Sequence, residues 1–231
     1  MIKLIYDNKD TLDKLAAEYI ATNLKKVYIE KGLAVLAVPG GRSISGVFAY
    51  LIEQDLNWSK VHIFLVDERL VLFNSVESNF ILVSDYLTGR LLEEKGLPIN
   101  NIHPFIYNPN MDEYGPDVYQ KELSSLGGKF DVALLSSGED GHIGALYPHH
   151  HSIENVSEYF ISMSDSPKPP SERMSSSLNL LKRSKYGVLL FYGEGKRQAF
   201  DNYLNDKLKI VDCPAKLVNE LSNALILTDI K

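Results

Sequence analysis

The chain has one cysteine, Cys213, among 231 residues, which excludes an internal disulfide and points to a reducing setting. It has no basic surplus: 24 Lys and Arg stand against 30 Asp and Glu, a formal charge of −6 at pH 7. The basic residues are scattered rather than clustered, so the general attraction that nucleic acids and anionic membranes rely on is missing, and neither is expected as a partner. No apolar run approaches the roughly 20 residues that span a bilayer, and the first residues lack the basic-then-apolar order of a signal peptide. The expected location is the cytoplasm. Three chemical signatures are also missing. The sequence contains no G-x-S-x-G elbow and no G-x-x-x-x-G-K-[ST] loop, and its first glycine turn is not a G-x-G-x-x-G fingerprint. Serine-nucleophile, P-loop and dinucleotide chemistries lose their usual supports.

What is present, at 45% hydrophobic residues, suffices for one large core, and a single domain over 1–231 is expected. Apolar runs at 2–6, 33–38, 61–66, 131–135, 159–163, 186–192 and 224–227 read as strands. Between several of them lie stretches of helical spacing, such as Leu12, Leu15, Ala16, Tyr19 and Ile20. Continuous apolar strands alternating with amphipathic helices predict an α/β fold, a mostly parallel open sheet flanked by helices. The segment 166–175, rich in proline, is expected to be a stiff loop that enters a helix.

The chemistry-bearing residues follow the strands. The run 33–38 ends in Gly40-Gly41-Arg42-Ser43 before a helix; glycines allow close backbone approach and a helix start favours negative charge, so this turn fits a phosphate. An ordinary tight turn has the same pattern. Asp67-Glu68-Arg69 ends the third strand, at the sheet edge where ligands bind. Ser136-Ser137-Gly138-Glu139-Asp140-Gly141-His142 ends the strand at 131–135. There Asp140 can orient His142 for proton transfer, although a loop histidine that merely caps the backbone remains open. Lys168 and Arg173 lie in the proline-rich loop, and Lys196 lies in a second glycine junction, Gly193-Glu194-Gly195-Lys196. Ser43, Arg173 and Lys196 can clamp one phosphate if their strand ends are neighbours. His149-His150-His151 suggests metal at first sight, but consecutive histidines do not converge as spaced ligands do, and a solvated loop is expected.

Together these segments resemble the glucosamine-6-phosphate isomerase/6-phosphogluconolactonase family. The resemblance rests on Gly40-Gly41-Arg42-Ser43, Val66-Asp67-Glu68-Arg69 with Ser78-Asn79, and Asp140-Gly141-His142-Ile143-Gly144-Ala145-Leu146-Tyr147-Pro148. It continues through Ser166-Pro167-Lys168-Pro169-Pro170 with Arg173 and Gly193-Glu194-Gly195-Lys196, in family order across nearly the whole chain. Arg42, Ile44 and Tyr147 depart from the family's common residues. The resemblance implies a Rossmann-like sheet of NagB/RpiA type and hydrolysis of 6-phospho-D-glucono-1,5-lactone in the pentose phosphate pathway, with no cofactor and no metal. Its partner is then a small phosphorylated sugar lactone, and the protein a monomer or small homo-oligomer. By the same carry-over His142 is the general base, with Asp140 beside it; Asp67 and Arg69 line the lactone end; and Gly40, Gly41, Arg42, Ser43, Lys168, Arg173 and Lys196 form the phosphate end. The deaminase branch usually continues Asp-Gly-His into Phe-Asn-Glu-Pro, whereas Ala145-Leu146-Tyr147-Pro148 carries no acid. That branch and a non-catalytic sugar-phosphate sensor are the alternatives.

Overall fold

Alternate residues along the central strands enter two separate cores, which is the signature of a sheet covered on both faces. In the computed structural model, which describes residues 1–111 and 114–231 and only the backbone of Arg42, Val35, Ala37, Phe64, Ala133 and Leu135 pack into one cluster. Their neighbours Leu36, Val38, Ile63, Val132 and Leu134 pack into the other. The strands are β1 (Ile2–Tyr6), β2 (Ala34–Val38), β3 (Val61–Leu65), β4 (Asp67–Arg69), β5 (Ile102–His103), β6 (Val132–Ser136), β7 (Phe160–Met163), β8 (Arg173–Ser176), β9 (Tyr186–Phe191) and β10 (Ala224–Thr228). Seven of them form one sheet in the order β1-β10-β9-β6-β2-β3-β5, with every pairing parallel.

Helix α1 (Lys9–Lys31) covers one face. Asn8 starts it by accepting the Thr11 N–H at 3.1 Å. Gly32, at φ +90°, ends it with a bond to the Tyr28 carbonyl, a left-handed conformation that glycine adopts without steric cost. Helix α2 (Ser45–Ile52) follows the β2 turn and buries Val47, Phe48, Leu51 and Ile52. The predicted helix near 78–92 forms as α3 (Asn79–Val83), a π turn (Ser84–Thr88) and α4 (Gly89–Glu94); α5 (Pro116–Ser125) comes next.

Two expectations are corrected. The segment after the proline-rich loop enters a strand rather than a helix: β8 pairs antiparallel with β4 and β7 in a second, three-stranded sheet. Pairing with two open strand edges overrides local propensity there. The helix α7 (Leu178–Lys182) starts only after Ser177, whose side chain accepts from the Leu180 N–H. The second correction is partial: His149 and His151 are exposed, as a solvated loop requires, but the run ends in a helix start. The His150 side chain accepts the Ser152 N–H and caps the short helix α6 (His151–Glu154).

The small sheet hangs from β3 through Val66, and Glu68 anchors it. This carboxylate is 2% exposed. It accepts from Arg69 N and Asn79 N at 2.6 Å each and from Ser78 Oγ and Phe80 N at 2.8 Å each. Burial pushes its pKa up against the pull of those hydrogen bonds. Glu68→Ala should cost at least about 3 kcal/mol, because it strands buried donors. Urea unfolding checks this, and a loss under about 1 kcal/mol would show that the donors find other partners.

Candidate active site

The chain runs outward from β2 through β3 to β5, then returns to place β6 on the other side of β2. Ligands bind at such a switch point, where the loops leaving the carboxyl ends diverge. The structure has a cleft of about 430 Å³ there, lined among others by Gly40, Gly41, Ser43, Asp67, Arg69, His142, Lys168, Arg173 and Lys196. Of the residues expected at the site whose side chains are described, only Asp140 does not line it. Asp140 stands behind His142, and the Arg42 side chain lies outside the described residues.

His142 Nδ1 is 2.5 Å from Asp140 Oδ1, and the His142 N–H donates to the same oxygen at 3.2 Å. A carboxylate on Nδ1 favours the tautomer with its proton there, leaving the Nε2 lone pair for the cleft. Burial raises the Asp140 pKa, but the hydrogen bonds and the charge of His142 outweigh it and hold the carboxyl well below the usual range. The loop has little room for other residues. A Cβ on Gly138 would lie 2.0 Å from His142 Cε1, and Gly141, at φ +89°, meets Cys213 Sγ.

Opposite the imidazole, Asn79 Nδ2 donates to the Asp67 carbonyl at 2.8 Å and to Asp67 Oδ2 at 3.2 Å. Its amide also fills the space beside Gly40, where a Cβ would fall 1.9 Å from Asn79 Oδ1. One side chain therefore locks the strand end to the phosphate-type turn. Arg173 enters from β8 rather than from a parallel strand end. Its Nε and Nη2 donate to the Pro170 and Pro169 carbonyls at 2.8 Å each, and Nη1 is 3.8 Å from Asp67. Arg69 is on the neighbouring strand, and its buried Nε has no hydrogen-bond partner among the described residues. Lys168 Nζ is 3.9 Å from Asp140. Burial lowers the pKa of Lys196, partly offset by Glu139 and Asp140. Ser43, Arg173 and Lys196 thus share one cleft, as the clamp reading required.

Sequence reasoning assigned no role to Asn79, Glu139 or Tyr147. Ser78-Asn79 was visible only as part of a family motif, because its contact with Asp67 depends on how the helix from 79 folds back. Tyr147 packs 4.8 Å from the His142 ring, centre to centre. Its hydroxyl is 2.9 Å from that of Ser166, which in turn accepts the Lys168 N–H at 3.2 Å. Tyr147 therefore connects the imidazole it packs against to the loop bearing Lys168.

A parallel sheet whose switch-point cleft joins a glycine turn, four cationic side chains and a carboxylate-held imidazole defines an α/β protein with an acid–base site for a small anionic ligand. The chain belongs to the family described as glucosamine-6-phosphate isomerases/6-phosphogluconolactonase, whose model matches residues 7–227. It is 35% identical over 196 residues to a 6-phosphogluconolactonase of Borreliella burgdorferi, covering 85% of this chain and 83% of that one. The crystal structure of a 6-phosphogluconolactonase from Thermotoga maritima matches with a TM-score of 0.82 at 26% identity, over 99% of this chain and 98% of that one. A monomeric glucosamine-6-phosphate deaminase of the NagB superfamily has the same fold, with a TM-score of 0.77 at 21% identity over 98% and 96% of the two chains.

Because the Asp140 pKa is depressed, its contribution to stability is present above the ordinary carboxylate range and is lost as pH falls through the lower folded value. Carboxyl NMR should find Asp140 still ionised at about pH 3, below the ordinary aspartate pKa. In His142→Ala the midpoint should rise past the ordinary value, since burial then acts with less opposition. An unchanged midpoint would place the cause elsewhere.

Proposed function

We propose that this protein hydrolyses 6-phospho-D-glucono-1,5-lactone to 6-phospho-D-gluconate, with His142 activating the water. The observation that carries this reading is the His142–Asp140 pair, with Nε2 free of hydrogen bonds among the described residues, in the same cleft as Ser43, Lys168 and Lys196. The family membership and the lactonase relatives support it.

A lactone is an activated acyl group, so a positioned water, a base and an oxyanion donor suffice without a covalent nucleophile. Water oxygen attacks the lactone carbonyl carbon while His142 Nε2 takes its proton, and the carbonyl electrons move onto oxygen. The guanidinium of Arg69, one of the cations that line the cleft, stabilises that oxyanion. The carbonyl then re-forms, the bond from its carbon to the ring oxygen breaks, and the imidazolium returns the proton to the leaving ring oxygen. The products are a carboxylic acid, which ionises at neutral pH, and a free hydroxyl. Asp140 keeps the proton on Nδ1 and stabilises the imidazolium. The remote phosphate, held at the Gly40-Gly41 turn, Ser43, Arg173 and Lys196, keeps the reacting carbon beside His142. Ring opening and ammonia release of the deaminase type would use an added acid near 145–147, where Ala145, Leu146 and Tyr147 are buried instead.

Acid release from freshly made lactone, corrected for spontaneous hydrolysis, should be accelerated, and ammonia release from glucosamine 6-phosphate should not. The reverse pattern would transfer the protein to the deaminase branch, and silence in both with phosphosugar binding intact would make it a sensor. His142→Ala should lower kcat by about 10²–10⁴-fold, with KM little changed; an unaltered kcat removes the imidazole from the chemistry. Lys196→Ala should raise KM by roughly tenfold or more, as expected for loss of a charged hydrogen bond, and a fall in kcat alone would count against a binding role.

A further inference from the structure

Outside the cleft, His150, His151 and Asp165 bring three metal-ligating atoms within 4.8 Å of one another. None of the three lines the cleft. His150 sits at the cap position in extended conformation while His151 begins α6, so the chain turns between them and the two rings lie 4.1 Å apart, tilted by 38°. Both Nε2 atoms face the same carboxylate, His151 at 2.9 Å and His150 at 3.4 Å from Asp165 Oδ1. The His150 Nε2 atom is buried and makes no hydrogen bond among the described residues. His149 takes no part: at φ +54° it diverges from the pair, and its Nε2 lies 3.3 Å from Asp212.

We propose that His150, His151 and Asp165 bind one divalent transition-metal ion of the zinc type. Two imidazoles and one carboxylate suit Zn²⁺, Co²⁺ or Ni²⁺ better than Mg²⁺ or Ca²⁺. Ligands about 2.0–2.1 Å from a tetrahedral ion stand about 3.3 Å apart, close to the two ligand separations above. The exposed His151 ring and Asp165 carboxylate are free to rotate onto an ion. The fourth position belongs to water. A ligating His150 must carry its proton on Nδ1, and Ser152 Oγ, 3.0 Å away, is the acceptor for it. Metal entry therefore exchanges the cap bond from Ser152 N for a bond to Ser152 Oγ, which fixes the ring's orientation and tautomer as acceptors on the far nitrogen of metal-bound histidines do. Asp165 immediately precedes Ser166, which holds the Lys168 backbone. The ion thus clips the loop that carries Lys168 to α6 and the histidine run, from outside the cleft and with no part in hydrolysis.

The test is calorimetric titration of chelator-stripped full-length protein with zinc chloride, paired with thermal melts. Wild type should bind one ion per chain and gain several degrees in Tm at saturation. His151→Ala and Asp165→Asn alter exposed side chains and should leave the circular dichroism spectrum unchanged while weakening binding at least about tenfold. His149→Ala and His142→Ala should bind as wild type does. Absence of saturable binding overturns the proposal. So does binding that survives Asp165→Asn but fails in His149→Ala, which marks the run as a nonspecific chelator, or binding that fails only in His142→Ala, which places the ion in the cleft.

Discussion

The parallel pairing of β6 with β2 is the constraint on which the rest depends. Its register, Leu36 opposite Val132 and Ala37 opposite Ala133, joins two strands that are far apart in sequence and sends both onward from the same edge. The glycine turn of one and the Asp140–His142 loop of the other then open into one cleft. Both strands are buried on both faces, so neither can slip by a residue without moving its apolar set into the opposite core.

Around that edge, close approach does as much as charge. Gly40 admits the Asn79 amide and Gly138 admits the His142 ring, each at a separation that a Cβ would forbid. Backbone and functional side chain are therefore in direct contact, which limits ring and amide motion. The small sheet adds the cationic wall. Its register sets Arg69 opposite Arg173 and Asp67 opposite Ser175, and the proline carbonyls that hold Arg173 restrict how its guanidinium can turn. Like charges on adjacent strands destabilise one another unless an anion lies between them. Asp67 supplies part of that charge, and a bound phosphate or oxyanion would supply the rest.

The same architecture serves lactone hydrolysis and amino-sugar chemistry within this family, so the fold does not choose the reaction. After His142, Ala145 and Leu146 are core residues, and the Tyr147 ring packs tilted against the imidazole with its hydroxyl on Ser166. That place beside the imidazole is therefore apolar and closely packed.

The sequence by itself determined the parallel α/β class, the strands of the large sheet, and which polar residues follow their carboxyl ends, because apolar runs and glycine turns are local signals that burial on both faces makes strict. His142, Asp140, Asp67 and Lys196 were legible as strand-end residues for that reason. Tertiary structure alone decided that 173–176 becomes a strand, since the partner edges of β4 and β7 are remote in sequence. It also decided that Asn79 bridges Asp67 and Gly40, that Arg173 reaches the cleft from a second sheet, and that two adjacent histidines converge on Asp165. Each of these depends on backbone direction and side-chain reach across segments a dozen residues or more apart, where residue spacing carries no distance information.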